Sequence, residues 1–129
     1  MMQEPQVFLI DSISAITLEM CGQIVVTGSH GGVSAAHLAL AHPPALVVFN
    51  DAGVGLDSAG IRSLEILQNH GVSACTVSHV SVRIGEAQST RLTGQISHIN
   101  GSAKDSGIAV GQTCAEAISF FAKSLLHRG

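Results

Sequence analysis

The sequence predicts a small three-layer α/β/α sandwich, one domain over residues 1–129, built on a mostly parallel sheet of four or five strands. Three observations carry this expectation. Apolar, β-branched-rich runs recur around Ile24-Val25-Val26, at 45–49 and at 72–77, the pattern of strands buried on both faces. Helix-like segments separate them, which is the alternation of βαβ crossovers rather than of hairpins. Finally, 129 residues suffice for one core but not for two.

Taken in order, Val7–Ile10 reads as a first strand, closed by Asp11 and Ser12. In 14–21, Ile16, Leu18 and Met20 alternate with other residues, the period of a further edge strand. Gly22 turns the chain into a strand over 23–27. A helix over 33–41 follows, rich in the strong helix formers Ala35, Ala36, Ala39 and Ala41. It is apolar nearly all round, so it is expected to be covered on both sides. Pro43 and Pro44 stop it, because the residue before proline avoids the α region. After the strand at 45–49, Asp57 is the expected N-cap of a helix through Asn69. In that helix Ile61, Leu64 and Leu67 face inward and Arg62, Glu65 and Gln68 outward, and Gly71 supplies the left-handed position past its end. Residues 72–77 form a third parallel strand ending at Ser78 and His79. Residues 83–94 read as a loop with at most one helical turn, 95–99 as a short strand and 101–111 as a loop. Thr113 caps a final helix to His127, with Cys114, Ala117, Ile118, Phe121 and Leu125 as its apolar stripe. Each crossover is expected to be right-handed.

Composition narrows the function. Charged residues are only 12% of the chain, about half the usual share. A surface this poor in charge is expected to be partly covered by further copies, a homo-oligomer. A net charge of −3 and six scattered Lys and Arg argue against a nucleic-acid partner. The apolar runs are too short for a membrane span, and the opening MMQEPQ shows no secretory signal. Cys21, Cys75 and Cys114 lack CxxC spacing and read as reduced, cytoplasmic thiols.

Candidate chemistry clusters where strands end. Gly28, Ser29, His30, Gly31 and Gly32 fill the turn between a strand and a helix N-terminus, where free N–H groups favour an anion. The alternative is that these glycines serve close packing of helix on strand. The stretch Ser29-His30-Gly31-Gly32, with Ala35-Ala36, Leu38-Ala39 and His42-Pro43 after it, resembles the nucleophile elbow of α/β-hydrolases. The resemblance covers residues 24 to 51 and implies Ser29 as nucleophile. Thr27 stands where that family has glycine, and no upstream oxyanion motif is present, so membership does not follow. The second cluster is Asn50 and Asp51, with Asp51 a general base, an orienter of histidine, or a cap for the turn at 53–55. The third is His79, with Arg83 as a carboxylate clamp and Glu86 beside it, or those two as a solvated ion pair. If the strands are neighbours, His30, Asp51 and His79 converge, and His98 is a further candidate for the same pocket. His42, His70 and His127 sit at helix ends, where a cation is favourable.

These residues point to an enzyme, a hydrolase or lyase acting on an acidic or amide small molecule. Ser29 or a water attacks, His30 or His79 moves the proton, Asp51 orients it, and backbone N–H groups after Gly28 hold the oxyanion. Gly28, Gly31, Gly32, Asn50, Arg83, Glu86 and His98 line the substrate. A second enzyme class is acid–base isomerisation or decarboxylation without a covalent step. The alternative outside catalysis is a metabolite-binding or assembly module. No cofactor is expected. A divalent metal on His30, Asp51, His79 and His98 has only weak support, for no HxH or HxxxH spacing occurs.

Overall fold

The structure, a computed structural model, describes residues 4–128, without the side chains of His127 and Arg128. The first three residues of the amino end and the His127 side chain therefore lie outside the described part. Five strands make one sheet: β1 (Val7–Ile10), β2 (Ile24–His30), β3 (Leu46–Asn50), β4 (Ser73–Val77) and β5 (Ile96–Ile99), in that spatial order. The first four are parallel and β5 is antiparallel to β4. Five helices accompany them: α1 (Val33–Leu40), α2 (Ser63–Asn69), α3 (Ala87–Thr93), α4 (Gly101–Asp105) and α5 (Cys114–Arg128). This is a small α/β fold of the class the alternating pattern predicts.

Parallel neighbours adjacent in sequence oblige each connection to climb back over the sheet. Here the connections share one face. Ile13 and Met20, then Ala36 and Ala39 of α1, then Leu64 and Leu67 of α2 pack on Val25, Val47, Phe49 and Ala74. The alternate strand residues, Ile24, Val26, Leu46, Val48, Cys75 and Val77, face the other way and are covered by Cys114, Ala117 and Phe121 of α5. Alternation at period 2 thus feeds two cores, which is why these runs carry no polar face.

Several local expectations are corrected. Residues 14–21 form no strand but two 3-10 turns, Ile13–Ala15 and Leu18–Met20. Because β1 pairs directly with β2, the chain between them must cross the face rather than lie in the sheet. Ile13 and Met20 are buried there, whereas Leu18 is 74% exposed. Residues 83–94 contain a two-turn helix, α3. Its first N–H, that of Ala87, is capped from afar by Asp11 Oδ1 at 2.9 Å, and Thr90 Oγ1 donates to the Thr27 carbonyl at 2.9 Å. Residues 101–111 begin with α4, capped by Asn100, whose Oδ1 accepts from Ala103 N at 3.0 Å. Asp57 caps nothing: it sits at φ 54° within a 3-10 segment, Leu56–Ile61, that precedes α2. Around α1, Ala35, Ala36 and Ala39 are buried, but Val33 and Leu38 are exposed within the single chain. Thr113 does cap α5. Its Oγ1 accepts from Glu116 N at 3.1 Å and Glu116 Oε1 accepts from Thr113 N at 2.9 Å, a reciprocal capping box. Among the described residues no helix is long and apolar enough to cross a membrane.

Candidate functional site

The carboxyl ends of β2, β3 and β4 lie side by side, so the three polar clusters do meet one edge of the sheet. Within that edge the side chains divide into two groups.

The first group is centred on Asp51, which follows β3 and is 4% exposed. Its Oδ1 accepts from Gly53 N at 2.8 Å and His79 N at 3.1 Å, and lies 3.4 Å from His79 Nδ1. Its Oδ2 lies 3.9 Å from His98 Nδ1. Burial pushes this carboxyl's pKa up. The Ser97 hydroxyl, the two N–H groups and the His79 imidazole more than offset that, and hold it below the ordinary carboxylate value. An ionised acceptor thus stands between two imidazoles, one from the end of β4 and one from β5. The antiparallel course of β5 is what brings His98 in. Only Gly94 and Gln95 separate α3 from β5, and the strand starts beside the carboxyl end of β4, with Ile96 opposite Val77. His98 Nδ1 is further held at 3.2 Å from Ser97 Oγ and 3.4 Å from Thr76 Oγ1, which lie 2.9 Å apart. No partner among the described residues engages Nε2 of either imidazole, and the His79 and His98 side chains are 52% and 37% exposed.

The backbone after Asp51 is unusual. Ala52, Val54, Asp57 and Ser58 all have positive φ, as do Gly53 and Gly55. For β-branched Val54, at φ 68°, that is a strained conformation. Close contacts over-determine it: Val54 N donates to Asp51 O and Gly60 N to Val54 O, both at 2.7 Å, and no side chain fits at Gly60, which abuts the Asp51 carbonyl.

The second group surrounds His30. Between the pairs Val26↔Val48 and His30↔Asn50, β2 advances four residues while β3 advances two. Such an irregularity re-aims a side chain. His30 consequently stands with Gly32, Ser34, Asp57 and Arg62 around a separate cleft of about 370 Å³, away from Asp51. Ser29 Oγ accepts from Ile13 N at 2.9 Å, tying the first 3-10 turn to β2, and bonds to no histidine. Three of the N–H groups at this turn are engaged within the fold. Gly28 N donates to Asp11 O, Ser29 N to Thr27 Oγ1 and Gly31 N to Asn50 O. Gly28 and Gly31 are packing residues: a Cβ at Gly31 would lie 2.7 Å from Gly60 O, and one at Gly28 would run into the 85–86 backbone. Asn50 is fully buried and its Oδ1 turns back to Ala52 N at 2.7 Å, while its Nδ2 has no partner among the described residues. Arg83 and Glu86 line a shallow hollow beside α3 that His98 does not border, and form no ion pair among the described residues.

A cleft of about 650 Å³ opens between α2 with its preceding 3-10 segment and the edge strand β5. His98 and Ser97 form one wall and Arg62 and Glu65 the other, with Ile61, Leu64, Ile99 and Val110 supplying apolar surface. Ser97, Thr76 and Arg62 were not singled out from the sequence. Arg62 shows the same outward spacing as any solvated helical residue, and only the fold of β5 onto β4 turns that surface into a wall. Among the described residues no group of three or more His, Cys, Asp or Glu is arranged to hold a metal ion. The thiols are remote from this chemistry: burial pushes Cys75 well up and Cys114 up to about 12, so neither is a thiolate nucleophile. Comparison with protein-family models, curated proteins and solved structures finds no match.

Proposed function

We propose that the chain is a small-molecule enzyme working by acid–base catalysis without a covalent intermediate, an isomerase, lyase or decarboxylase. The observation that supports this reading is the shared carboxylate. Asp51 faces Nδ1 of both His79 and His98, and His98 lines the cleft between β5 and α2. A carboxylate against Nδ1 favours the tautomer with the proton on Nδ1 and the lone pair on Nε2. His98 Nε2 then takes a proton from a bound molecule and returns it, as the Ser97 and Thr76 hydroxyls hold the ring. His79, on the other side of Asp51, is a second carrier that exchanges protons with solvent. Ser29 Oγ accepts from Ile13 N and, among the described residues, bonds to no base, which favours this reading over covalent hydrolysis.

The test is exchange of substrate C–H hydrogen for solvent deuterium across a panel of small acids, ketones and amides. Turnover and exchange should fall by about 10²–10⁴-fold in H98Q and D51N, and persist in S29A. Loss in S29A with retention in H98Q would restore a covalent mechanism. No exchange with any panel member in the wild type would favour a binding module instead. The low charge and the exposed Val33 and Leu38 support self-association, which light scattering tests.

A further inference from the structure

We infer that Arg62 is the anchor for the substrate, and that the substrate is a small carboxylic acid with an apolar portion. This rests on the acid–base reading only for the word substrate; the anchor is argued from the cleft itself. Arg62 is exposed at the start of α2 and, among the described residues, carries the only fixed positive charge on the walls of the cleft beside His98. Among the described residues it has no ion pair and no hydrogen bond, although Glu65 lies three residues along the same helix and Asp57 lines the same cleft. A guanidinium left unpaired beside two carboxylates has its donor fork free for a ligand.

The same guanidinium borders the neighbouring clefts at His30 and at Ile66. It therefore stands on the ridge that separates His98 from His30, within reach of whatever occupies the main cleft.

The walls select among anions. A planar carboxylate matches the guanidinium fork with two parallel hydrogen bonds. A phosphate dianion would meet twice the repulsion from Asp57 and Glu65 for the same single cation. Ile61 and Leu64 beside Arg62, with Ile99 and Val110, offer aliphatic surface that a purely polar ligand would leave unused. A carboxylate held by Arg62, with its apolar part along those side chains, presents its intervening carbons to His98. The C–H bond at a carbon beside the carboxyl group then breaks, its proton passing to His98 Nε2 and its electron pair delocalising into that carboxyl group as an enediolate, until the same nitrogen returns the proton to carbon with the carboxylate retained.

The experiment uses three probes on the whole chain: 3-phenylpropanoate, its neutral amide, and phenyl phosphate. Binding is followed by amide chemical shifts in ¹H–¹⁵N spectra. The carboxylate should shift Arg62, Ser97 and His98 at millimolar concentration and bind about tenfold more tightly than the amide or the phosphate. R62Q should weaken it about tenfold, with R62K recovering part of the loss. K104Q, which removes an exposed cation outside the cleft lining, should leave the affinity within about twofold. Equal binding of the amide, tighter binding of the phosphate, indifference to R62Q, shifts confined to the His30 cleft, or no binding each overturns the proposal. Failure of the anchor is distinct from failure of the chemistry. Binding that ignores Arg62, beside exchange that needs His98, removes the first alone; the reverse pattern removes the second alone. Melting curves for R62Q and R62K confirm folding.

Discussion

Replacing Asp51 should reveal a single carboxylate serving both fold and site. In D51A, the N–H groups of Gly53 and His79 lose an acceptor at 2.8 and 3.1 Å, beneath a residue only 4% exposed. Gly53 and His79 are themselves exposed, so their orphaned N–H groups regain some water, and at about 1 kcal/mol each the two together should cost about 2 kcal/mol. D51N keeps an oxygen for both donors but loses their charge assistance, at about 1–2 kcal/mol. Urea denaturation at neutral pH measures both. The pH dependence fixes the cause. Folding lowers the pKa of this carboxyl below its ordinary 3.8. Its contribution is therefore fully present above that unfolded value and is lost as pH falls through the lower folded one. The gap between wild type and D51N should stay flat from about pH 8 to pH 5 and close below about pH 4. A gap undiminished at about pH 2, or D51N matching wild type at neutral pH, would refute an ionised, hydrogen-bonded Asp51.

Two further outcomes probe the frame around the site. Asn100 accepts from Ala74 N at 3.1 Å and Ala103 N at 3.0 Å, and donates to Leu64 O at 3.2 Å and Val72 O at 2.9 Å, joining β4, α2 and α4. N100A should cost about 3–4 kcal/mol by urea denaturation; a loss below about 1 kcal/mol would mean the bonds are not formed. V54G relieves a side chain held at φ 68°. It should raise stability by up to about 1 kcal/mol, the strain released less the entropy of the added glycine, whereas a clear drop in melting temperature would show that the loop is not strained.

The strands that were legible are those with two buried faces. Val25, Val47 and Ala74 alternate with Ile24, Val48 and Cys75 over two cores, and such runs announce themselves without reference to neighbours. Thr113 was legible for a related reason: its partner, Glu116, lies three residues away, within the range of a local motif. The missed helices have remote causes. Asp11 caps α3 across the sheet, and Asn100 holds α4 through bonds to β4 and α2. At 14–21 the alternation was real, but β1 and β2 are adjacent and parallel, so this segment is the crossover that carries the chain back over the face of the sheet instead of joining it.

The candidate site divides along the same line. That polar groups would gather at the ends of β2, β3 and β4 follows from parallel strands of similar length, and sequence alone determined it. Which of those groups meet is a matter of ångströms. An irregularity in β2 sends His30 to one cleft, the 3-10 turn at Ile13 claims Ser29, and the antiparallel return of β5 carries His98 to Asp51. Arg62 became a cleft wall only when β5 and α2 came to face one another. Periodicity records burial, a property each residue carries along the chain; proximity between distant residues is set by register and crossover, which only the folded chain decides.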